Sequence, residues 1–329
     1  MRPAIDDVNW RKLCDMSLRE NHLLAHIYAA NAKLPGAVVI PPGDDMGGVI
    51  VGGQLVLITV DQLADGVHFD SALTPLELIG RKAITRNLSD VAAMAAKPVG
   101  AVCAGCLPRG FGEANANRLF DVMREVAERY GCPLIGGDIS VWDQRLILTV
   151  TVIAEPAGIE PVLRGGAKPG DVICVTGRLG GSWTAPAESG GGPHMEFEPR
   201  VSLARKLAGM VKLHSMMDIS DGLAMDLPRI CEASKVGAEI EVASLPLRPQ
   251  AHTAAKLSGK PAWVHGVGDG EDYELLFTVS QADAVKLPGE IDGVPVTRIG
   301  RVTGGGGVML IHEGGRREAM GPGGWEHHE

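Results

Sequence analysis

Twice along this chain a β-branched or apolar run ends on an aspartate, passes through a polar turn and gives way to a helical pattern. The first is "QLVLITVD" (54–61), leading to "TPLELIGRKAITRNLSDVAAMAAKP" (74–98). The second is "HSMMDIS" (214–220), leading to "DGLAMDLPRICEASKVG" (221–237). Strand and helix periods cannot be exchanged without turning the apolar face to water. The alternation therefore commits the chain to an α/β fold. At 329 residues the chain holds two domains of ordinary size. The strand "RLILTVTVIAEP" (145–156) closes the first half. The expected domains are an N-terminal one over 1–158 and a C-terminal one over 159–329.

Local signals place the other elements. Thr74 reads as an N-cap with Pro75 at N1, and Pro98 as lying just past the helix end. "VGAVCAGCLP" (99–108) reads as a strand and residues 113–131 as an amphipathic helix stopped by Gly131. In the second half, 170–177 reads as a strand and 198–210 as a helix. "APAESGGGPHMEF" (185–197) reads as a flexible loop and "TGGGGV" (303–308) as a hairpin turn.

Composition excludes several classes. Aromatics are 4 % against 44 glycines, which suits tight α/β turns better than an aromatic-packed sandwich. The net charge of −9 and the lack of a basic block argue against nucleic acid as a partner. No apolar run is long enough to span a membrane, and the first residues lack an apolar signal core. The expected location is cytoplasmic, with the six cysteines reduced. Cys103 and Cys106 form a C-x-x-C without a second pair or histidine partners, so they read as buried strand residues rather than a zinc or redox site.

Acidic turns carry the chemistry. "PPGDDMGG" (41–48) sets Asp44 beside Asp45, and Asp61, Asp90, Asp138, Asp218 and Asp221 stand at strand ends or helix-flanking turns. One such aspartate is commonly a turn former or cap. Strand ends of an α/β sheet line the ligand crevice, however, and converging carboxylates need a counter-charge. Mg²⁺ takes oxygen ligands and keeps substrate phosphates in its shell, so such a site suits a nucleoside triphosphate. The chain has no G-x-x-x-x-G-K-[ST], and "GVGDGED" (266–272) fails the spacing of a dinucleotide fingerprint.

In order, "GDD" (43–45), "LITVDQLADGVHF" (57–69), "GRKAITRNLSDVAAMAAKP" (80–98), "LIGGD" (134–138), "RGGAKPGDVICVTGRLGGS" (164–182), "MDISDGLAMDL" (217–227), "GEDYELLFTV" (270–279) and "GWEHH" (324–328) resemble the thiamine-monophosphate kinase family. That family sits in the superfamily of aminoimidazole ribonucleotide synthetase. The resemblance implies the two-domain α/β (α+β) fold of that superfamily, with mixed sheets flanked by helices, a homodimer, and transfer of phosphate from ATP to thiamine monophosphate by direct in-line attack. It implies several Mg²⁺ ions, ATP as co-substrate, and K⁺ as a candidate monovalent ion. By motif, Asp45, Thr59, Val60, Asp61, Asp90, Asp138, Asp218 and Asp221 match metal positions, with Asp45, Asp61 and Asp90 at the catalytic centre. Gly137, Asp138, Arg164 and Ser220 match ATP contacts. His68, Glu271 and Trp325 match contacts to the thiamine end.

The chain also departs from that pattern. Val60 replaces a common threonine, so a metal contact there uses the backbone carbonyl. "GGDIS" stands for "GGDTT", and the "AAGL" helix expected after "GRLGGS" gives way to a Gly- and Pro-containing loop. Two alternatives follow: a sibling ATP-dependent enzyme acting on another small metabolite, or a non-catalytic paralogue that holds thiamine phosphates or nucleotide.

Overall fold

The structure, a computed structural model, describes residues 20–31, 33–182, 190–321 and 323–324. Helix α1 (Glu20–Ala30) belongs to an N-terminal unit, and the other elements belong to the unit spanning residues 35–325.

The first half of that larger unit builds one six-stranded sheet. Its elements are β1 (Val38–Ile40), β2 (Gly47–Val51), β3 (Gln54–Ala64), α2 (Leu76–Ala93), β4 (Lys97–Pro108), α3 (Glu113–Arg129), β5 (Leu134–Trp142) and β6 (Ile147–Glu155). The strand order is β1-β2-β3-β6-β4-β5, antiparallel except for the β4–β5 pair. Along β3, Leu57, Thr59 and Leu63 are buried while Ile58 and Val60 are exposed. This period of two is that of a sheet with one covered and one open face.

The second half builds an eight-stranded sheet. It comprises β7 (Val172–Thr176), α4 (Pro193–Glu196), α5 (Val201–Met210), β8 (Leu213–Asp218), α6 (Leu223–Ser234), β9 (Gly237–Glu241), α7 (Pro249–Ser258), α8 (Ala262–Gly268), β10 (Leu275–Val279), α9 (Gln281–Ala284), β11 (Glu290–Ile291), β12 (Val294–Thr303), β13 (Gly307–Ile311) and β14 (Arg317–Ala319). The order is β14-β13-β9-β12-β7-β10-β8, with β11 on β12. Central strands β7 and β10 are buried throughout. Alternate β7 side chains enter different cores: Val172 and Cys174 join the cluster around α2, while Ile173 and Val175 join the cluster around α6. A strand covered on both faces reads as the continuous apolar run "VICV".

Helix α2 is the keystone of the arrangement. It packs on β3, β4 and β6 of the first sheet and on α5 and β8 of the second half. Twelve of its eighteen residues are buried, among them Lys82, Asn87 and Ser89. An ordinary amphipathic helix needs only one apolar stripe. Burial on several sides brings the polar "NLSD" turn of α2 to the end of β8.

Five local expectations are corrected. Thr74 is not the cap of α2: the helix starts at Leu76 after Pro75, with no side-chain cap bond. The helix also stops short of Pro98, because Ala95 takes φ 51° and the Ala96 N–H donates to the Val91 carbonyl. Pro98 instead enters β4, at a place where β4 pairs with β6 and β5 has not yet begun. "TGGGGV" is not a hairpin turn, since β9 lies between β12 and β13 and pairs with both. The connection crosses over Gly237, where a Cβ would meet the Gly305 carbonyl at 2.1 Å. Residues 193–196 form the short helix α4 rather than a loop; residues 183–189 lie outside the described ones. Cys103 and Cys106 lie in a strand as expected but are half-buried, not buried.

Candidate active site

Asp45 in the turn before β2, Asp90 near the end of α2 and Asp218 at the end of β8 come together. One oxygen from each lies within 4.8 Å of the others. The two acids of the "GDD" turn do different work. The Asp44 carboxylate accepts from the Arg164 backbone N–H at 3.1 Å, while Asp45 Oδ1 accepts from Arg164 Nη2 at 2.7 Å. Together they hold the start of the second half against the first. Burial, then repulsion from Asp45, pushes Asp44 up to about 6.

The three converging acids repel. Burial, and after it the charges of Asp61, Asp218 and Asp45, raise Asp90 well above the usual carboxylate range. Burial and Asp45 push Asp218 up to about 7. Short donors answer part of this: Thr59 Oγ1 donates to Asp90 at 2.5 Å, and Ser89 Oγ donates to Asp218 at 2.6 Å. Asp45 Oδ2 is buried without a hydrogen-bond partner. An oxygen-only set with an unsatisfied buried carboxylate oxygen fits a hard divalent cation such as Mg²⁺.

Cationic groups border the same place. Arg86 donates to Asp61 at 3.4 Å and to the Gln62 carbonyl at 2.9 Å, yet its Nε is buried and unpartnered, as is Arg164 Nε. The site therefore leaves both an acceptor and two guanidinium donors unsatisfied. A bound anion accompanied by a cation satisfies both kinds at once. The Val60 side chain is exposed. The two-residue turn at Gly52 and Gly53 makes Val51–Gln54 the first bonded pair, so even-numbered β3 residues aim their backbone at β2. Strand β2 ends opposite Ile58, and the Val60 carbonyl faces past that end.

One turn from Arg86 along α2, the fully buried Lys82 donates to Glu271 Oε1 at 2.6 Å and to the His68 carbonyl at 3.1 Å. Burial alone would raise Glu271, but the Lys82 ammonium overrides it and holds the carboxylate below its usual range. Burial depresses Lys82 in turn. Glu271 and Tyr273 both take positive φ, 54° and 51°. For a tyrosine this is a strained backbone, of the kind that gathers at functional sites. The His68 Nδ1 accepts from the Ala64 N–H at 3.0 Å. His68 and Glu271 are thus brought together through Lys82.

The remaining expected residues are not among the three carboxylates that converge. Gly137 and the exposed Asp138 stand on β5 and border a cavity of about 420 Å³, lined mainly by Cys103, Leu107, Leu119, Phe120 and Met123. A Cβ on Gly137 would lie 1.9 Å from the Cys103 carbonyl, so only glycine permits this strand approach. Asp221 pairs with Arg229 at 2.7 Å, and Arg229 also binds the buried Asp226. The Ser220 carbonyl accepts from the Glu271 N–H at 2.6 Å. Trp325 lies outside the described residues. Sequence reading missed Lys82, Arg86 and Phe120. The first two were legible as an i, i+4 pair on the helix that ends "NLSD"; the cavity carried no sequence signal.

Residues 43–155 match the family described as AIR synthase related protein, N-terminal domain, and residues 168–313 match AIR synthase related protein, C-terminal domain. A thiamine-monophosphate kinase from Rhodopirellula baltica is 37 % identical over 318 residues, covering 94 % of this chain and 98 % of that protein. The chain belongs to the thiamine-monophosphate kinase family. A second relative in that family, from Bacillus subtilis, is 35 % identical over 271 residues, covering 76 % of this chain and 81 % of its own length. A solved structure described as AaThiL complexed with AMPPCP and TMP has a TM-score of 0.77 at 28 % identity, covering 94 % of this chain and 97 % of that one.

Proposed function

We propose that this chain transfers the terminal phosphate of ATP to thiamine monophosphate, giving thiamine diphosphate and ADP by direct in-line attack. The observation that carries the reading is the paired deficit at one place: an unpartnered Asp45 oxygen beside unpartnered Arg164 and Arg86 nitrogens. The relatives' names agree with it. Asp45, Asp90 and Asp218 would hold Mg²⁺, with Thr59, Asp61, the Val60 carbonyl, Asp138 and Asp221 as further ligands. Bound Mg²⁺ would supply the charge neutralisation that lets two phosphates approach.

The chain's own groups do the positioning. Arg164 and Arg86 donate to phosphate oxygens, and their planar forks fix orientation. The acceptor phosphate is ionised at neutral pH, so no side chain has to remove a proton. Register supports a nucleotide span: Asp61, Val150, Cys103 and Gly137 pair in turn across four adjacent strands. Three strand spacings separate Asp61 from Gly137 by about 14 Å, a distance an extended nucleoside triphosphate bridges. The apolar cavity beside Gly137 then takes the adenine, with Phe120 and Met123 against its face. Glu271 lies at the thiamine end, where a carboxylate suits a thiazolium cation.

The homodimer is supported by Ile58 and Val60, exposed side by side on the open face of β3. The division at 158/159 is supported by its place between β6 and β7. Among the described residues no helix is long and apolar enough to cross a membrane, which agrees with the proposed cytoplasmic location.

The test is ADP release from ATP, Mg²⁺ and thiamine monophosphate, with thiamine diphosphate identified by chromatography. Product that vanishes with EDTA and in Asp90→Asn supports the reading. Absence of product from folded, ATP-binding protein overturns it. Substrate binding without turnover in the native chain identifies a binding paralogue, and turnover of another phosphorylated metabolite a sibling enzyme.

A further inference from the structure

We infer that His194, through its Nδ1, binds the aminopyrimidine ring of thiamine monophosphate and helps set specificity for it. The inference rests on the function proposed above and adds a contact to the thiamine end of the same site. His194 lies in α4, within the stretch that departs from the family pattern.

The backbone around His194 is firmly placed. Helix α4 packs on α2. Upstream, Gly190 lies against the Leu73 carbonyl, where a Cβ would come to 2.3 Å. Downstream, Arg81 Nη2 donates to the Phe197 carbonyl at 2.7 Å, and the Phe197 ring stacks on Tyr273 with centroids 3.9 Å apart. Tyr273 in turn donates to Glu271 Oε1 at 3.4 Å. His194 is therefore carried on a segment tied at both ends to the elements that hold Lys82 and Glu271.

Its Nδ1 is buried and has no hydrogen-bond partner. Leaving a buried polar atom unpaired costs free energy, so such an atom in a well-packed place calls for an explanation. Lys82 and Glu271 satisfy one another and do not answer it. Burial and the Lys82 charge lower the His194 pKa, against the opposing pull of Glu271. The ring is thus neutral and offers either an N–H or a lone pair at Nδ1. The aminopyrimidine carries an exocyclic amine beside ring nitrogens, a donor and acceptors on adjacent atoms. One tautomer of His194 meets the amine and the other meets a ring nitrogen. The phosphate groups of ATP, which call for charged donors, do not match the neutral ring.

The experiment uses the full chain as wild type, His194→Phe and His194→Asn. Thiamine monophosphate binding is followed by titration calorimetry with Mg²⁺ present, KM values for both substrates by ADP release, and folding by thermal melting. His194→Phe keeps a ring and removes both nitrogens. It should raise Kd and KM for thiamine monophosphate about tenfold, the scale of one hydrogen bond with a desolvated partner. The ATP KM should stay unchanged. His194→Asn restores a polar atom near the Nδ1 position and should recover most of the loss. The melting temperature of His194→Phe should equal or exceed that of the wild type, because an unpaired buried atom has gone. Unchanged thiamine monophosphate affinity in His194→Phe overturns the inference. So does a lower melting temperature with both KM values raised alike, which marks a packing role. If the wild type itself does not bind thiamine monophosphate, the functional reading fails, and the inference fails with it.

Discussion

Asp218→Asn should stabilise the metal-free protein while removing its response to magnesium. Asp218 is 2 % exposed. One of its oxygens lies within 4.8 Å of one from Asp45 and one from Asp90. At that 4.8 Å separation and an effective dielectric of about 20, two unit charges repel by about 3 kcal/mol. Two neighbours at or inside that separation make this at least about 7 kcal/mol for full ionisation. Proton uptake by the raised Asp90 and Asp218, and the Arg164 guanidinium on Asp45, remove most of this. We expect Asp218→Asn to recover about 1–3 kcal/mol, or roughly 2–6 °C in Tm for a chain of this size. The Ser89 hydroxyl keeps an acceptor, because asparagine retains the side-chain carbonyl oxygen. Scanning calorimetry in EDTA and in millimolar Mg²⁺ reads both effects. The wild type should gain Tm with Mg²⁺; the variant should start higher and gain little. A lower Tm in EDTA, or an undiminished Mg²⁺ response, would refute the electrostatic reasoning.

Further outcomes follow from other positions. Gly137→Ala should cost at least about 2 kcal/mol and weaken ATP binding, because the new Cβ meets the Cys103 backbone carbonyl rather than a movable side chain; urea denaturation and nucleotide titration would show it, and wild-type stability would count against the close approach. Phe120 is 53 % exposed, so Phe120→Ala should leave Tm nearly unchanged yet raise the ATP KM several-fold; an unaltered KM would remove adenine from that cavity. Asp272 accepts from the Gly180 and Gly181 N–H groups, and burial pushes it up to about 8. Between pH 4 and 8 the folded state keeps a proton that the unfolded chain releases, so this contribution is full below about pH 4 and declines as pH rises towards about 8, by up to ~1.4 kcal/mol per unit. Asp272→Asn should flatten that part of the stability–pH curve, and an equally steep curve would contradict the assignment. Arg200 makes a two-pronged pair with the buried Glu274 at 2.6 and 2.7 Å, so Arg200→Leu should cost about 3 kcal/mol by urea denaturation.

What the sequence could reveal followed from how local each signal is. Asp45 and Asp218 were legible because acids in a glycine turn or at a strand end are visible in a few residues, and Asp90 through its "NLSD" stretch, although their meeting depends on α2 lying between two sheets. The strands "QLVLITVD" and "VICVT" announced themselves by composition. The "TGGGGV" turn misled because a hairpin and a crossing over an inserted strand share the same glycines; only the pairing of distant β9 with both neighbours distinguishes them. Pro98 misled for a related reason: it stops a helix but is tolerated where a strand still lacks one partner. Lys82 was legible as one of an i, i+4 basic pair, but its burial depends on Glu271, far along the chain. The His194 environment had no local signature, since an unsatisfied atom is defined by what surrounds it.

The grip of Asp45 on Arg164 makes the resting site its own antagonist. The carboxylate suited to a cation is engaged by the guanidinium suited to a phosphate, so each occludes the other until something replaces it. If the proposed ligands bind there, a cation arriving at Asp45 would liberate Arg164, and a phosphate arriving at Arg164 would liberate Asp45. Binding of the two is then mutually reinforcing by the same factor in either direction. A titration of ATP with and without Mg²⁺, repeated in Arg164→Gln, measures that factor; equal enhancement in both proteins would locate the cooperativity elsewhere. An internal ion pair of this kind works as a latch with two keys, and neither ligand alone holds it fully open.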